Sequence, residues 1–164
     1  MPVTPFHFGP GAALHALAPR QVSFLSFCAA NVFIDCESLY NLVLGRYPVH
    51  AFFHSYLGAT LMALALIGVF AAVRRLAHRV AVPDLFGWKS LTVGAVALGA
   101  LLGAWSHVAL DSIMHADIRP LAPISDGNSL LHLVSLEVLH LACLVLGGVG
   151  GLAVLLRSRL GKQR

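Results

Sequence analysis

In the segment Ser106-His107-Val108-Ala109-Leu110-Asp111, a histidine and an aspartate stand four residues apart. On a helix that spacing puts both on one face, with Cβ atoms about 5–6 Å apart, a separation that suits two ligands of one metal ion. His115 would continue that face one turn later, with the helix ending before Pro120. The segment His50-Ala51-Phe52-Phe53-His54-Ser55 again spaces two imidazoles by one turn, at the start of a helix running inward. Neutral imidazole is the commonest side-chain metal ligand, and two on one face make half a site. Asp35-Cys36-Glu37 sets two carboxylates in an apolar run, with no Lys or Arg following before Arg46. Two such acids need a cation, and a metal ion supplies it, with one carboxylate as ligand and the other as bridging ligand or general base. His7 is a further isolated ionisable residue at the edge of an apolar run. In a soluble helix a His–Asp pair is most simply a hydrogen bond, and the His50–His54 segment with Phe52, Phe53 and Tyr56 also fits an interfacial belt.

What tips the balance is the setting. The chain is 58% hydrophobic and 11% charged, with a mean hydropathy of +0.81, against about 25% charged residues in an ordinary soluble domain. A soluble fold could not cover that much apolar surface, and ionisable residues bordering membrane segments mark a functional site by default. The expected fold is all-α: a polytopic integral membrane helical bundle, one domain over residues 1–164, with no repeat and no Ser/Pro-rich linker. Three apolar runs, Leu57 to Val73, Leu91 to Met114 and Leu130 to Leu156, each approach the roughly 20 residues that cross a bilayer. Ahead of them, Phe8 to Ala18 is too short to span, and Val22 to Val43 is interrupted by Asp35 and Glu37. A helical hairpin turning at Pro19-Arg20-Gln21 and returning to Asp35 fits best, with arms of roughly 15 and 22 Å at 1.5 Å per residue. The N-terminus has no basic residue before Arg20 and so lacks the flank of a signal peptide. Cys28, Cys36 and Cys143 are scattered, so neither a disulfide framework nor a thiolate zinc site is expected; Cys28 and Cys143 read as core and Cys36 as a weak ligand candidate. The lipid bilayer is the implied partner; a nucleic-acid partner is not expected.

Orientation follows from the basic residues. Arg20, Arg74, Arg75, Arg79, Lys89, Arg157, Arg159, Lys162 and Arg164 fall on one side, with Arg46 and Arg119 on the other, and positive residues concentrate on the cytoplasmic side. The C-terminus is therefore expected in the cytoplasm of a multi-pass bacterial inner-membrane protein. The connection from Val80 to Trp88 would lie there too, and the segments Leu39 to Val49 and His115 to Ser129 outside. All candidate ligands then share the extracytoplasmic face.

The order of these patches carries a resemblance. A His near the N-terminus, acid-x-acid, a closely spaced His pair followed by Ser, and S-H-x-x-x-D with a downstream Pro, over roughly residues 4–123, resembles the bacterial membrane-bound metal-dependent hydrolase family. That family typically shows D-x-D-H, H-R-G-x-T-H-S and a helix-borne H-x-x-x-D. The resemblance implies ligand roles for His7, Asp35, His54, His107 and Asp111, with Glu37 in the place of the second acid. Here Glu37 replaces Asp, Ser38 replaces the following His, Ala51 stands where a basic residue is usual, and the His50–His54 spacing is one residue shorter. Which of His50 and His54 is the ligand stays open.

Other polar residues have plainer readings. Glu137-Val138-Leu139-His140 is an E-x-x-H arrangement that recurs in dinuclear carboxylate sites, but a buried Glu–His hydrogen bond bracing the bundle is the preferred reading. His132 stands near the outer face, lining a pocket or the interface; His15 reads as hairpin-facing and His78 as a solvated loop residue. Gly94, Gly99, Gly103, Gly147, Gly148, Gly150 and Gly151 suggest close helix contact. Arg46 and Arg119 flank ligand-bearing segments; either could hold a phosphate-like anion or snorkel to the interface.

The expected chemistry is metal-assisted hydrolysis of a lipid or envelope phosphodiester or ester. A divalent ion, with zinc favoured by the ligand types, acidifies water, Glu37 takes or relays the proton, and Arg46 or Arg119 steadies negative charge. Two rivals use the same residues. A metal or proton transporter would need polar groups through the full membrane depth, where only Glu137, His140 and some Ser and Thr are found. Bis-histidine haem binding would need facing histidines such as His54 and His107, and the acids beside them would be unusual.

Overall fold

The computed structural model describes residues 4–77, 79 and 83–162, so His78 and Val82 lie outside the described residues. Five α-helices follow in order: α1 Phe8–Leu17, α2 Phe24–Val43, α3 Tyr56–Leu76, α4 Val93–Met114 and α5 Leu136–Lys162. There is no strand among the described residues. Three helices, α3, α4 and α5 over Leu136–Leu160, are long and apolar enough to cross a membrane, and the bundle is helical as expected.

The N-terminal hairpin is present. Pro10 falls in the first turn of α1, where a missing N–H costs nothing. The chain reverses after Leu17, and His15 Nδ1 lies 2.7 Å from the Val22 carbonyl, to which it donates across the turn. Ser23 then caps α2 by accepting from the Ser26 amide. The second arm differs from expectation, since α2 continues beyond Asp35 to Val43. The two carboxylates do not break it because both find polar partners inside the protein: Asp35 Oδ1 lies 3.2 Å from His107 Nε2, and Glu37 accepts from the Phe52 and Phe53 amides.

The fifth helix also differs, beginning at Leu136 rather than at Leu130. The intervening stretch is tied to the end of α4. Asn128 Nδ2 donates to the Ser112 carbonyl, the His132 amide donates to the Ile113 carbonyl, and His132 adopts a positive φ of 58°. His132 is thus an exposed loop residue and not part of a helix.

Contacts fix the helix directions. The Ser23 amide donates to Ala95 O at one end of the α2–α4 pair, and Asn31 meets His107 further along, so the two run parallel. Against α4, α3 is antiparallel, with Trp105 reaching Thr60 and Arg74 reaching the Leu91 carbonyl. Small residues permit this closeness. A Cβ at Gly99 would overlap the Ser23 carbonyl, one at Gly103 the backbone of Phe27, and one at Gly9 the Cys143 carbonyl on α5. Buried Ala30 and Ile34 of α2, Ala59 and Ala63 of α3, and Ala100, Ala104 and Val108 of α4 form the core, while leucines such as Leu61, Leu64, Leu141, Leu144 and Leu152 stay exposed, as a lipid-facing surface requires. The start of α1, the last part of α2, the start of α3 and the last part of α4 therefore share one end of the bundle.

Candidate metal centre

Each element delivers its ligand differently. His7 closes the 3-10 turn Thr4–His7 and caps α1. Asp35 projects from α2. His54 ends a second 3-10 turn, Phe52–His54, folded against α3 because Gly58 lets the Phe52 carbonyl approach. Ser55 caps α3, accepting from the Gly58 amide at 3.0 Å. His107 and Asp111 share one face of α4, as their spacing implied. His50 and His54 do not: both precede α3, which starts at Tyr56, so the expected pair on one helical turn is corrected to two imidazoles on an irregular segment. His115 is corrected likewise. The helix stops at Met114, and His115 caps it with extended backbone.

Asp35, His54, His107 and Asp111 each offer one ligand atom, and these atoms all lie within 4.8 Å of one another. His107 Nε2 lies 3.2 Å from Asp35 Oδ1 and 3.3 Å from Asp111 Oδ2. His54 Nε2 lies 3.3 Å from His107 Nε2, 3.5 Å from Asp111 Oδ2 and 3.9 Å from Asp35 Oδ1. Four ligands about 2.1 Å from one zinc ion stand about 3.4 Å apart along the edges of their tetrahedron. The observed separations cluster around that value. His54 and His107 are fully buried, while the Asp35 side chain keeps 28% exposure.

The tautomers agree with this arrangement. Asn31 donates its amide to the Phe27 and Gly103 carbonyls, which turns Asn31 Oδ1 toward His107 Nδ1 at 3.0 Å. A proton on His107 Nδ1 leaves the Nε2 lone pair facing the other three groups, as an outer partner does for a metal-bound imidazole. Glu37 lies behind His54, with Oε2 3.8 Å from Nδ1, and its carboxylate is held by the amides of Phe52 and Phe53 at 3.1 and 2.7 Å. Burial pulls the His54 imidazole pKa down, but Asp111, Asp35 and Glu37 overcome it and push it up to about 10. The group draws positive charge to itself, which a metal ion satisfies as well as a proton. His7 Nε2 and Asp111 Oδ1 stand 3.2 Å apart, both buried and without a well-formed hydrogen bond. Buried, under-satisfied nitrogen and oxygen atoms of this kind fit a cation site. His7 also touches His107 through Nδ1 at 3.0 Å, so it adjoins the four rather than converging with them.

His50, Asp111 and His115 form another group whose ligand atoms lie within 4.8 Å. The rings of His50 and His115 stack with centroids 4.2 Å apart. Asp117 holds His50, with Oδ1 2.9 Å from Nδ1 and Oδ2 accepting from the Val49 and His50 amides at 3.0 Å. Burial pushes the Asp117 carboxyl pKa up, and the His50 amide and ring outweigh it, keeping it below the usual value. Burial first, and then His50, pushes the His115 imidazole down, so it stays neutral near neutral pH.

Beside this group lies a cleft of about 360 Å³ lined by His50, Phe52, Leu57, Asp117, Arg119 and Pro123, among others. Arg119 stands at its exposed rim, paired with Asp126 at 2.9 Å. Arg46 instead lies over the Tyr40 ring, 5.1 Å from its centroid, and lines neither the cleft nor the ligand groups. Cys36 is exposed and belongs to neither ligand group. Glu137 is exposed and His140 packs on Phe6 with ring centroids 4.7 Å apart, so the expected Glu137–His140 brace is absent. Two outer residues went unpredicted. Asn31 precedes Asp35 by one helical turn, a spacing that could have exposed it, and Asp117 carried no signal beyond a charge in an apolar chain.

A family model described as YdjM inner membrane protein matches residues 6–160. No curated protein and no solved structure matches the chain.

Proposed function

The chain belongs to the YdjM inner membrane protein family, and from that premise we propose that it is a membrane-embedded, metal-dependent hydrolase whose divalent ion, most naturally zinc, is held by Asp35, His54, His107 and Asp111. The observation that carries this reading is the convergence of their ligand atoms at tetrahedral spacing. When bound, such an ion supplies Lewis acidity, polarising a carbonyl or phosphoryl oxygen and acidifying water toward a pKa of about 7. The protein side chains do the rest. Asn31 fixes the lone pair of His107. Glu37 Oε2 stands 3.8 Å from His54 Nδ1 and is the carboxylate to which a proton on that ring would pass. Asp35, the most exposed of the four side chains, borders the side on which water would reach the ion.

Hydrolysis adds water across the ester bond: the water oxygen joins carbon or phosphorus, and the departing oxygen takes the proton. The adjacent cleft has apolar walls in Phe52, Leu57 and Pro123 with Arg119 at its rim, which suits a lipid-like ester or phosphodiester whose anionic part meets a guanidinium. The basic-residue bias supports an extracytoplasmic position for this end of the bundle. The test is zinc content and hydrolysis of a chromogenic phosphodiester and a chromogenic carboxylic ester by the purified chain in detergent. We expect zinc retained through desalting and turnover of one probe, with turnover falling to background in His54→Ala/His107→Ala. A zinc-loaded protein that turns over neither probe would remove hydrolysis and leave a metal-holding protein, while wild-type protein that retains no metal would remove the centre.

A further inference from the structure

We infer that the chain has a second metal position, formed by His50 and His115 and joined to the first through Asp111, so that the centre is dinuclear. The inference rests on the metal centre proposed above, because Asp111 is the one residue common to both convergent groups.

Geometry on the His50 side carries it. His50 is buried, and Asp117 fixes it from behind: one carboxylate oxygen takes the Nδ1 proton at 2.9 Å while the other is pinned by two backbone amides at 3.0 Å. The carboxylate cannot swing away, so His50 is held with its Nε2 lone pair free. A carboxylate–imidazole pair of this form is the usual outer support of a histidine ligand. His115 is brought alongside by the end of α4, where its amide donates to the Asp111 carbonyl at 2.9 Å, and its ring stacks on His50. Two imidazoles in van der Waals contact gain little from each other. Their shared neighbour is Asp111, whose Oδ2 faces His54 and His107 and whose buried Oδ1, 3.2 Å from His7 Nε2, makes no well-formed hydrogen bond.

A carboxylate with both oxygens in use is the bridging ligand that paired divalent ions need, at separations of about 3.5–4 Å. With His50, His115 and Asp111 as its protein ligands, the second position keeps coordination sites open. It also lies against the cleft that His50 and Asp117 help to line. Each part of a two-ion hydrolytic centre then has a residue assigned: Asp35, His54 and His107 on one ion, His50 and His115 on the other, and Asp111 between them.

The test is metal titration of the full chain in detergent, stripped with chelator and reloaded with Zn(II) or Mn(II). Wild-type protein is expected to take up two equivalents of Zn(II), and the Mn(II) form to give a spin-coupled signal in electron paramagnetic resonance. His50→Ala/His115→Ala should keep one equivalent and show the signal of an isolated Mn(II) ion. Asp117→Asn, which leaves every ligand in place, should keep two equivalents with the weaker one loosened about 10- to 100-fold, and it covers the case in which the double variant fails to fold. One equivalent in wild type and in Asp117→Asn alike, with an uncoupled Mn(II) signal, would overturn the second position and leave the first intact. No uptake by wild type would overturn both.

Discussion

The proposed first metal position also depends on a residue that is not one of its ligands. Asn31 is fully buried, and its two amide hydrogen bonds orient the oxygen that receives the His107 Nδ1 proton. Without that acceptor the proton can move to Nε2, the atom that must coordinate. Asn31→Leu, similar in size and well suited to a helix, is therefore expected to weaken zinc binding by about 10- to 100-fold, the usual effect of losing an outer partner. Asn31→Asp keeps an acceptor and should recover much of the affinity. Competition titration against a chromogenic chelator measures both, and zinc binding by the leucine variant at wild-type strength would sink the assignment. The contrast with the ligands explains what could be read in the sequence. His107 and Asp111 were legible because helical spacing alone joins them, and Asp35 because a carboxylate in an apolar run demands a partner. His50 and His54 were legible as metal-binding types but not as members of different groups, since their backbone leaves the helix and spacing then says nothing about direction. Asn31 was overlooked because an amide carries no charge to flag its cost.

At the scale of elements, the centre holds together only if α2 and α4 lie close, because Asp35 comes from one and His107 and Asp111 from the other. That closeness rests on glycines. Gly103 lies against the Phe27 backbone, so an added Cβ has no flexible neighbour to displace. Gly103→Ala is expected to cost about 1–3 kcal/mol by overpacking and to weaken zinc binding as well, because separating the helices draws Asp35 away from His107. Gly94→Ala on the same helix meets open space and should leave both unchanged. Thermal melting in detergent, with and without zinc, distinguishes them, and equal behaviour of the two variants would refute the close-packing account. The three long helices were legible from length and hydropathy because burial in lipid acts on every residue of a span. The overrun of α2 and the late start of α5 were not, because each is decided by tertiary hydrogen bonds: the amides of the 3-10 turn Phe52–His54 that satisfy Glu37, and the tether of Asn128 and His132 to the end of α4.

At the scale of the whole molecule, the site and most of the basic residues occupy opposite ends, with Arg46 and Arg119 the exceptions. Arg20 lies in the α1–α2 turn, Arg74 and Arg75 in the last turn of α3, Lys89 just before α4, and Arg157 and Arg159 late in α5. All of these belong to the end away from His7, Asp35, His54, His107 and Asp111. In the half of α4 nearer the basic end, the buried residues are Ala95, Val96, Gly99, Ala100, Gly103 and Ala104, none of them ionisable. A metal or proton path through the membrane would need ionisable groups there, so the one-ended distribution fits a reaction centre better than a conduit. Concentration of Lys and Arg on the cytoplasmic side would then turn the site outward, as proposed above. A cysteine introduced at exposed Gly127, in the loop between α4 and α5 and in a Cys36→Ser background, should react with a membrane-impermeant maleimide on intact spheroplasts. A green fluorescent protein fused after Arg164 should fluoresce, as it does only on the cytoplasmic side. Labelling only after the membrane is opened, together with a dark fusion, would invert the protein, and the proposed ester or phosphodiester substrate would have to be sought on the cytoplasmic face of the bilayer.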